Sequence, residues 1–68
     1  MTTKDDLQQA LSTAEGLKSQ FKTFAQDTND QQASKMYNNL AQNLEDCVQQ
    51  LQGRFEYVKQ EEPQYQGN

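Results

Sequence analysis

Residues 33–58 read ASKMYNNLAQNLEDCVQQLQGRFEYV. The apolar members are Ala33, Met36, Tyr37, Leu40, Ala41, Leu44, Cys47, Val48, Leu51, Phe55 and Val58. They recur at the three- and four-residue steps of an α-helix, not at the alternating steps of a strand. The opposite strip is polar: Lys35, Asn39, Gln42, Asp46, Gln49, Gly53, Glu56 and Gln60. Gly53 therefore faces solvent. A mid-helix glycine costs about 1 kcal/mol relative to alanine, but the apolar phase continues through Phe55 and Val58. The spacing predicts one helix over about 30–60. Pro63 disfavours helical backbone at the residue before it, so 61–68 is expected as an extended tail.

Upstream, Leu7, Ala10, Leu11, Ala14, Leu17, Phe21, Phe24 and Ala25 repeat the helical period. Gln8, Ser12, Glu15, Ser19, Lys22 and Gln26 form the polar side. A first helix is predicted over about 3–27. Thr3 is its expected cap, with Asp6 in capping-box spacing and Asp5 and Asp6 at the positive end of the dipole. Between the two patterns stands Asp27-Thr28-Asn29-Asp30, whose side chains favour caps and turns. Thr28 or Asn29 is the expected cap of the second helix. So short a connection makes the helices antiparallel neighbours. The fold class is all-α: a single 68-residue domain forming a two-helix hairpin.

The second helix carries three apolar columns. They are Ala33, Leu40, Cys47; Tyr37, Leu44, Leu51, Val58; and Ala41, Val48, Phe55. One shorter helix cannot cover three columns, and large wet apolar patches mark interfaces. Two hairpins packed into a four-helix bundle would bury them all. The expected state is a homodimer, with Leu40, Leu44, Cys47, Val48, Leu51 and Phe55 as interface residues. A chain this short is also marginal alone.

Composition removes several function classes. The net charge is −4, with six basic residues scattered along the chain. Phosphate binding needs clustered cations, so nucleic acid is not an expected partner. No apolar run approaches the length of a membrane span, so no direct membrane insertion is expected. A single cysteine forbids an internal disulfide and fits a reducing, cytoplasmic setting. Thirteen glutamines and five asparagines are interleaved with charges and apolar anchors. Glutamine is a good helix former, so they read as solvated helix surface.

The chain contains no histidine. Serine, cysteine and metal-assisted mechanisms lose their usual base or ligand. The carboxylate neighbours Glu45 with Asp46, Asp5 with Asp6, and Glu61 with Glu62 diverge by about 100° on a helix and lie off the apolar strips; they read as solvated charges. No enzyme activity, cofactor or metal is expected. Cys47 has two readings, a small buried hydrophobe or a thiol at a dimer seam. Phe21, Phe24, Tyr37 and Phe55 read as core aromatics, or alternatively as the lining of a small apolar-ligand pocket. Glu61, Glu62, Pro63 and Tyr65 form a candidate docking tail.

Thr23-Phe24-Ala25, Thr28 with Gln32-Ala33 and Met36-Tyr37, and the closing Gln60-Glu61-Glu62-Pro63-Gln64-Tyr65 carry a resemblance over nearly the whole chain. The chain resembles a small uncharacterised family of spore-forming Firmicutes, domain of unknown function 1657. Cys47, Gly53 and the ending Gln66 to Asn68 depart from that family's pattern. The resemblance implies a stand-alone protein whose gene neighbours encode spore membrane and germination proteins. It therefore implies a sporulation role beside a spore membrane assembly, within the developing spore. It implies no catalytic residue.

Overall fold

A computed structural model describes residues 2–61. Two helices, α1 (Thr3–Asp27) and α2 (Gln31–Gln60), pack against each other as an all-helical hairpin. The expected tail beyond Glu61 lies outside the described residues.

Both caps differ from the expected ones by a residue or two. Thr2, not Thr3, caps α1: its hydroxyl accepts from the Asp5 N–H at 3.0 Å. Asp30, not Thr28 or Asn29, caps α2. Its Oδ1 accepts from the N–H groups of Gln32 at 2.9 Å and Ala33 at 3.3 Å. A carboxylate suits the positive end of a helix better than a neutral oxygen. Thr28 serves the turn instead. Its N–H closes α1 on the Phe24 carbonyl, and its hydroxyl accepts from the Asp30 N–H. The Ser34 hydroxyl then donates to the Ala25 carbonyl at 2.9 Å, tying the start of α2 to the end of α1.

The shielded positions of α1 and its C-terminal cap are Lys4, Leu7, Leu11, Ala14, Lys18, Phe21, Ala25 and Thr28. In α2 the central series is Ser34, Tyr37, Ala41, Leu44, Val48, Leu51, Phe55 and Val58. Both alternate steps of three and four, a seven-residue repeat, and so form one seam along the whole hairpin. Its best-buried members are Ala25, Ala41, Val48 and Val58. α1 thus shields two of the three apolar columns of α2 throughout, and the third at Ala33 and Leu40 but not at Cys47. The helix passes unbroken through Gly53, where a Cβ would meet nothing within 4 Å.

The molecule measures 53 × 17 × 11 Å. Its thinnest dimension is one helix diameter. The radius of gyration is 15.6 Å, against about 11 Å for a compact chain of this length. Domains normally bury a core between two packed layers. This hairpin is one layer.

Candidate functional site

A single layer has two broad faces, and the heptad repeat assigns residues to them. Three residues after the seam positions Leu7, Ala14 and Phe21 stand Ala10, Leu17 and Phe24. Three after Tyr37, Leu44 and Leu51 stand Leu40, Cys47 and Arg54, with Ala33 one repeat earlier. In an antiparallel pair, equal offsets from the seam fall on the same side. Both columns therefore flank the seam on one face. On the other face, one residue after the same seam positions, stand Gln8, Glu15 and Lys22, then Asn38, Glu45 and Gln52. One face is largely apolar and the other wholly polar.

Exposure follows this division. Leu17 is 39% exposed, Phe24 43%, and Met36, at the rim, 48%. Cys47 is exposed. Its reading as a buried hydrophobe is thus corrected within the hairpin. It belongs to the third column of α2, whose other members Ala33 and Leu40 are half-buried. Of the six expected interface residues, Val48 is buried inside the hairpin itself, and Leu44, Leu51 and Phe55 are half-buried along the seam. Leu40, on the flank, is likewise half-buried, and Cys47 alone of the six is exposed.

The aromatic expectation also divides. The Phe21 and Tyr37 rings stack with centroids 6.0 Å apart, and Phe24 meets Tyr37 at 5.5 Å, tilted by 60°. Such pairs strengthen packing at the turn end of the hairpin. Phe55 lies eighteen residues beyond Tyr37, roughly 27 Å along the helix. The four rings do not line one pocket. Tyr57, half exposed, carries the Arg54 guanidinium 4.9 Å above its ring.

The polar face holds a pair that sequence reasoning missed. Lys18 occupies a seam position, and its ammonium donates to Glu45 on α2. The Gln49 amide donates to the other Glu45 oxygen at 3.2 Å. The hydrogen bond from Lys18 lowers the Glu45 pKa below the usual carboxylate value, with Gln49 and the charges of Lys18 and Lys22 acting in the same direction. Glu45 is therefore a half-buried, paired carboxylate and not a freely solvated one. The available signal was Lys18 itself, which continues the seven-residue series Leu11, Lys18, Ala25.

Among the described residues no three His, Cys, Asp or Glu side chains cluster in a way that would hold a metal ion. No helix there is long and apolar enough to cross a membrane. The site with a definite shape is the apolar flank. The model of one protein family, described as a protein of unknown function (DUF1657), matches residues 7–55. The chain belongs to that family. No curated protein and no solved structure matches the chain. The matched segment of this DUF1657 chain runs from Leu7 to Phe55 and spans the turn, the seam up to Phe55 and both columns of the apolar flank. The candidate docking tail lies beyond it. Within that tail Glu61 is half-buried, its N–H donating to the carbonyls of Tyr57 and Val58. Glu62, Pro63 and Tyr65 lie outside the described residues.

Proposed function

We propose that this protein is a non-enzymatic interaction protein that works as a homodimer, two hairpins forming a four-helix bundle. The observation that carries this reading is the exposed flank of Ala10, Leu17, Phe24 and Cys47, with Leu40 half-buried beside them, on a molecule one helix thick. The broad face extends over 53 × 17 Å. A second hairpin supplies the missing layer, and the polar faces of Gln8, Glu15, Lys22, Asn38, Glu45 and Gln52 then point outward.

In the cell, the proposed dimer acts in sporulation, as a cytoplasmic companion of a spore membrane or germination assembly that it meets through its outer polar surface. That part rests on the family resemblance alone. The absence of histidine supports the non-enzymatic reading.

Sedimentation equilibrium over a range of concentrations tests the dimer. The expected mass is twice 7.8 kDa, and Leu17→Glu should lower it towards the monomer while leaving the helical circular dichroism intact. A wild-type monomer at every concentration overturns the reading. Recovery of a tagged copy from sporulating cells, with a membrane protein bound, tests the cellular role.

A further inference from the structure

The turn joins two seams that are out of step. The shielded series of α1 ends Leu11, Ala14, Lys18, Phe21, Ala25, Thr28. The same steps carried on without a break reach Gln32, Lys35, Asn39, Gln42, Asp46 and Gln49. Every position of that continued series, through Gly53 to Gln60, is polar or glycine, and every one is exposed. The seam of α2 begins instead at Ser34, two residues late. Two residues are about 200° of helix. The relation also holds backwards. The α2 series carried into α1 meets Asp27, Thr23, Gln20, Gly16, Thr13 and Gln9, all exposed.

A hairpin whose turn is only Thr28-Asn29-Asp30 invites exchange. The turn straightens, and α1 of one copy packs on α2 of another. Such a pair remakes the same seam twice. The best-buried seam residues are two alanines and two valines, and none of them distinguishes a helix of its own chain from that of a second copy. The offset does distinguish them. Two straightened chains close as an antiparallel pair only if both strips of each chain face the one partner. Here the strips would face opposite sides. Each straightened chain would need a different neighbour for each strip, and such an assembly does not close. In the hairpin, extended backbone at Thr28 and Asp30 interrupts the helix, and each strip turns to meet the other.

We propose that the length of the turn bars helix exchange: Thr28, Asn29 and Asp30 set the strips of α1 and α2 on opposite sides of any straightened chain, so the chain closes on itself. Deletion reverses the offset. Without Asn29 and Asp30, Ser34 stands four residues after Thr28, and one seven-residue repeat runs the length of the chain. This inference concerns the seam and does not depend on the homodimer, which uses the flank.

The test compares three deletions in the full-length chain: Asn29 alone, Asn29 with Asp30, and Thr28 to Asp30. Removing two residues aligns the strips, whereas removing one or three leaves them about 100° apart. All chains, including a parent with the turn intact, carry Leu17→Glu to prevent pairing through the flank. They also carry Cys47→Ser and nitroxide labels at Gln8→Cys and Gln52→Cys, both exposed on the polar face. Labelled chains are diluted into an excess of unlabelled ones, so pulsed electron–electron double resonance reads the distance within one chain. In the hairpin the helices lie about 10 Å apart, and the labels should be less than about 25 Å apart. In a straight chain roughly 40 residues of helix separate them, about 60 Å. The two-residue deletion should give the long distance in a helical species of two chains by sedimentation. The parent and the other two deletions should not. A short distance from the two-residue deletion, or a species of other than two chains, overturns the proposal. So does a long-distance, two-chain species from either other deletion, because loss of the turn would then suffice whatever the phase. If the two-residue deletion does not fold, Thr28→Leu is added, since Thr28 then sits on the common seam. A chain still without helix after that change also overturns the proposal.

Discussion

Lys18 on α1 donates to the carboxylate of Glu45 on α2 across the otherwise mainly apolar seam. The lysine stands where the repeat calls for an apolar side chain. Its stem lies in the seam and its ammonium reaches the polar face, as long charged side chains commonly do. The pair can form only in one register, since sliding either helix by a turn separates the partners by roughly 5 Å. Its contribution is to alignment more than to net stability, because both groups retain solvent contact.

The pair gives stability a predictable pH dependence. Glu45 has a lowered pKa in the folded chain, chiefly through its hydrogen bond from Lys18. Its contribution is therefore complete above the unfolded glutamate value of about 4.3. It is lost as pH falls through the depressed folded value. Urea midpoints measured from neutral pH down to strongly acidic conditions should fall more steeply for wild type than for Glu45→Gln. Parallel curves would remove Glu45 from the acid response.

At Gly53 the helix gains from a substitution. The glycine is exposed and helical, and an added Cβ meets nothing within 4 Å. Gly53→Ala should raise unfolding free energy by about 0.5–1 kcal/mol. Chemical denaturation followed by circular dichroism measures this directly. A loss of stability would mean that α2 does not continue through this position in solution.

Asp30 can be tested as a cap by its chemistry. Asp30→Ala removes an acceptor of two backbone N–H groups and should cost about 1 kcal/mol. Asp30→Asn keeps an oxygen and should lose much less. If Thr28→Ala proved costlier than Asp30→Ala, the turn would be capped from the other side.

Much of this architecture was legible because a seven-residue repeat is visible in the sequence of a single helix. Tyr37, Leu44, Leu51 and Val58 announce a face without any structure. Periodicity does not say which columns a neighbouring helix covers. That depends on how the two repeats align, and so Cys47, on the strip in sequence, is exposed in the hairpin. Lys18 was hidden for a related reason: a charge at a seam position reads as surface until its partner on the other helix is known. The caps were displaced because Thr2, Thr3, Thr28, Asn29 and Asp30 all carry capping side chains, and local geometry chooses among them.

Charge placed on the seam should differ sharply from charge placed outside it. Leu44 is half-buried between the helices, and Gln42 is exposed. Leu44→Asp should cost about 3 kcal/mol or more, enough to unfold so small a chain, by burying an unpaired carboxylate. Gln42→Asp should stay within about 0.5 kcal/mol of wild type. Comparable losses at both positions, read from far-ultraviolet circular dichroism, would sink the helical phase.

The sharpest contrast is between adjacent residues. Val48 is 3% exposed, while Cys47 is exposed. Val48→Ala removes two methyl groups from the seam and leaves a void, which should cost about 2 kcal/mol. Cys47→Ala should change hairpin stability little at protein concentrations too low for association. At concentrations where the proposed dimer forms, Cys47 lies on the associating flank, and a much larger side chain there disturbs its packing. Cys47→Phe should therefore leave the dilute hairpin near wild type and weaken association by about tenfold or more. If Cys47→Phe associates as tightly as wild type, the flank that carries Cys47 is not the associating face.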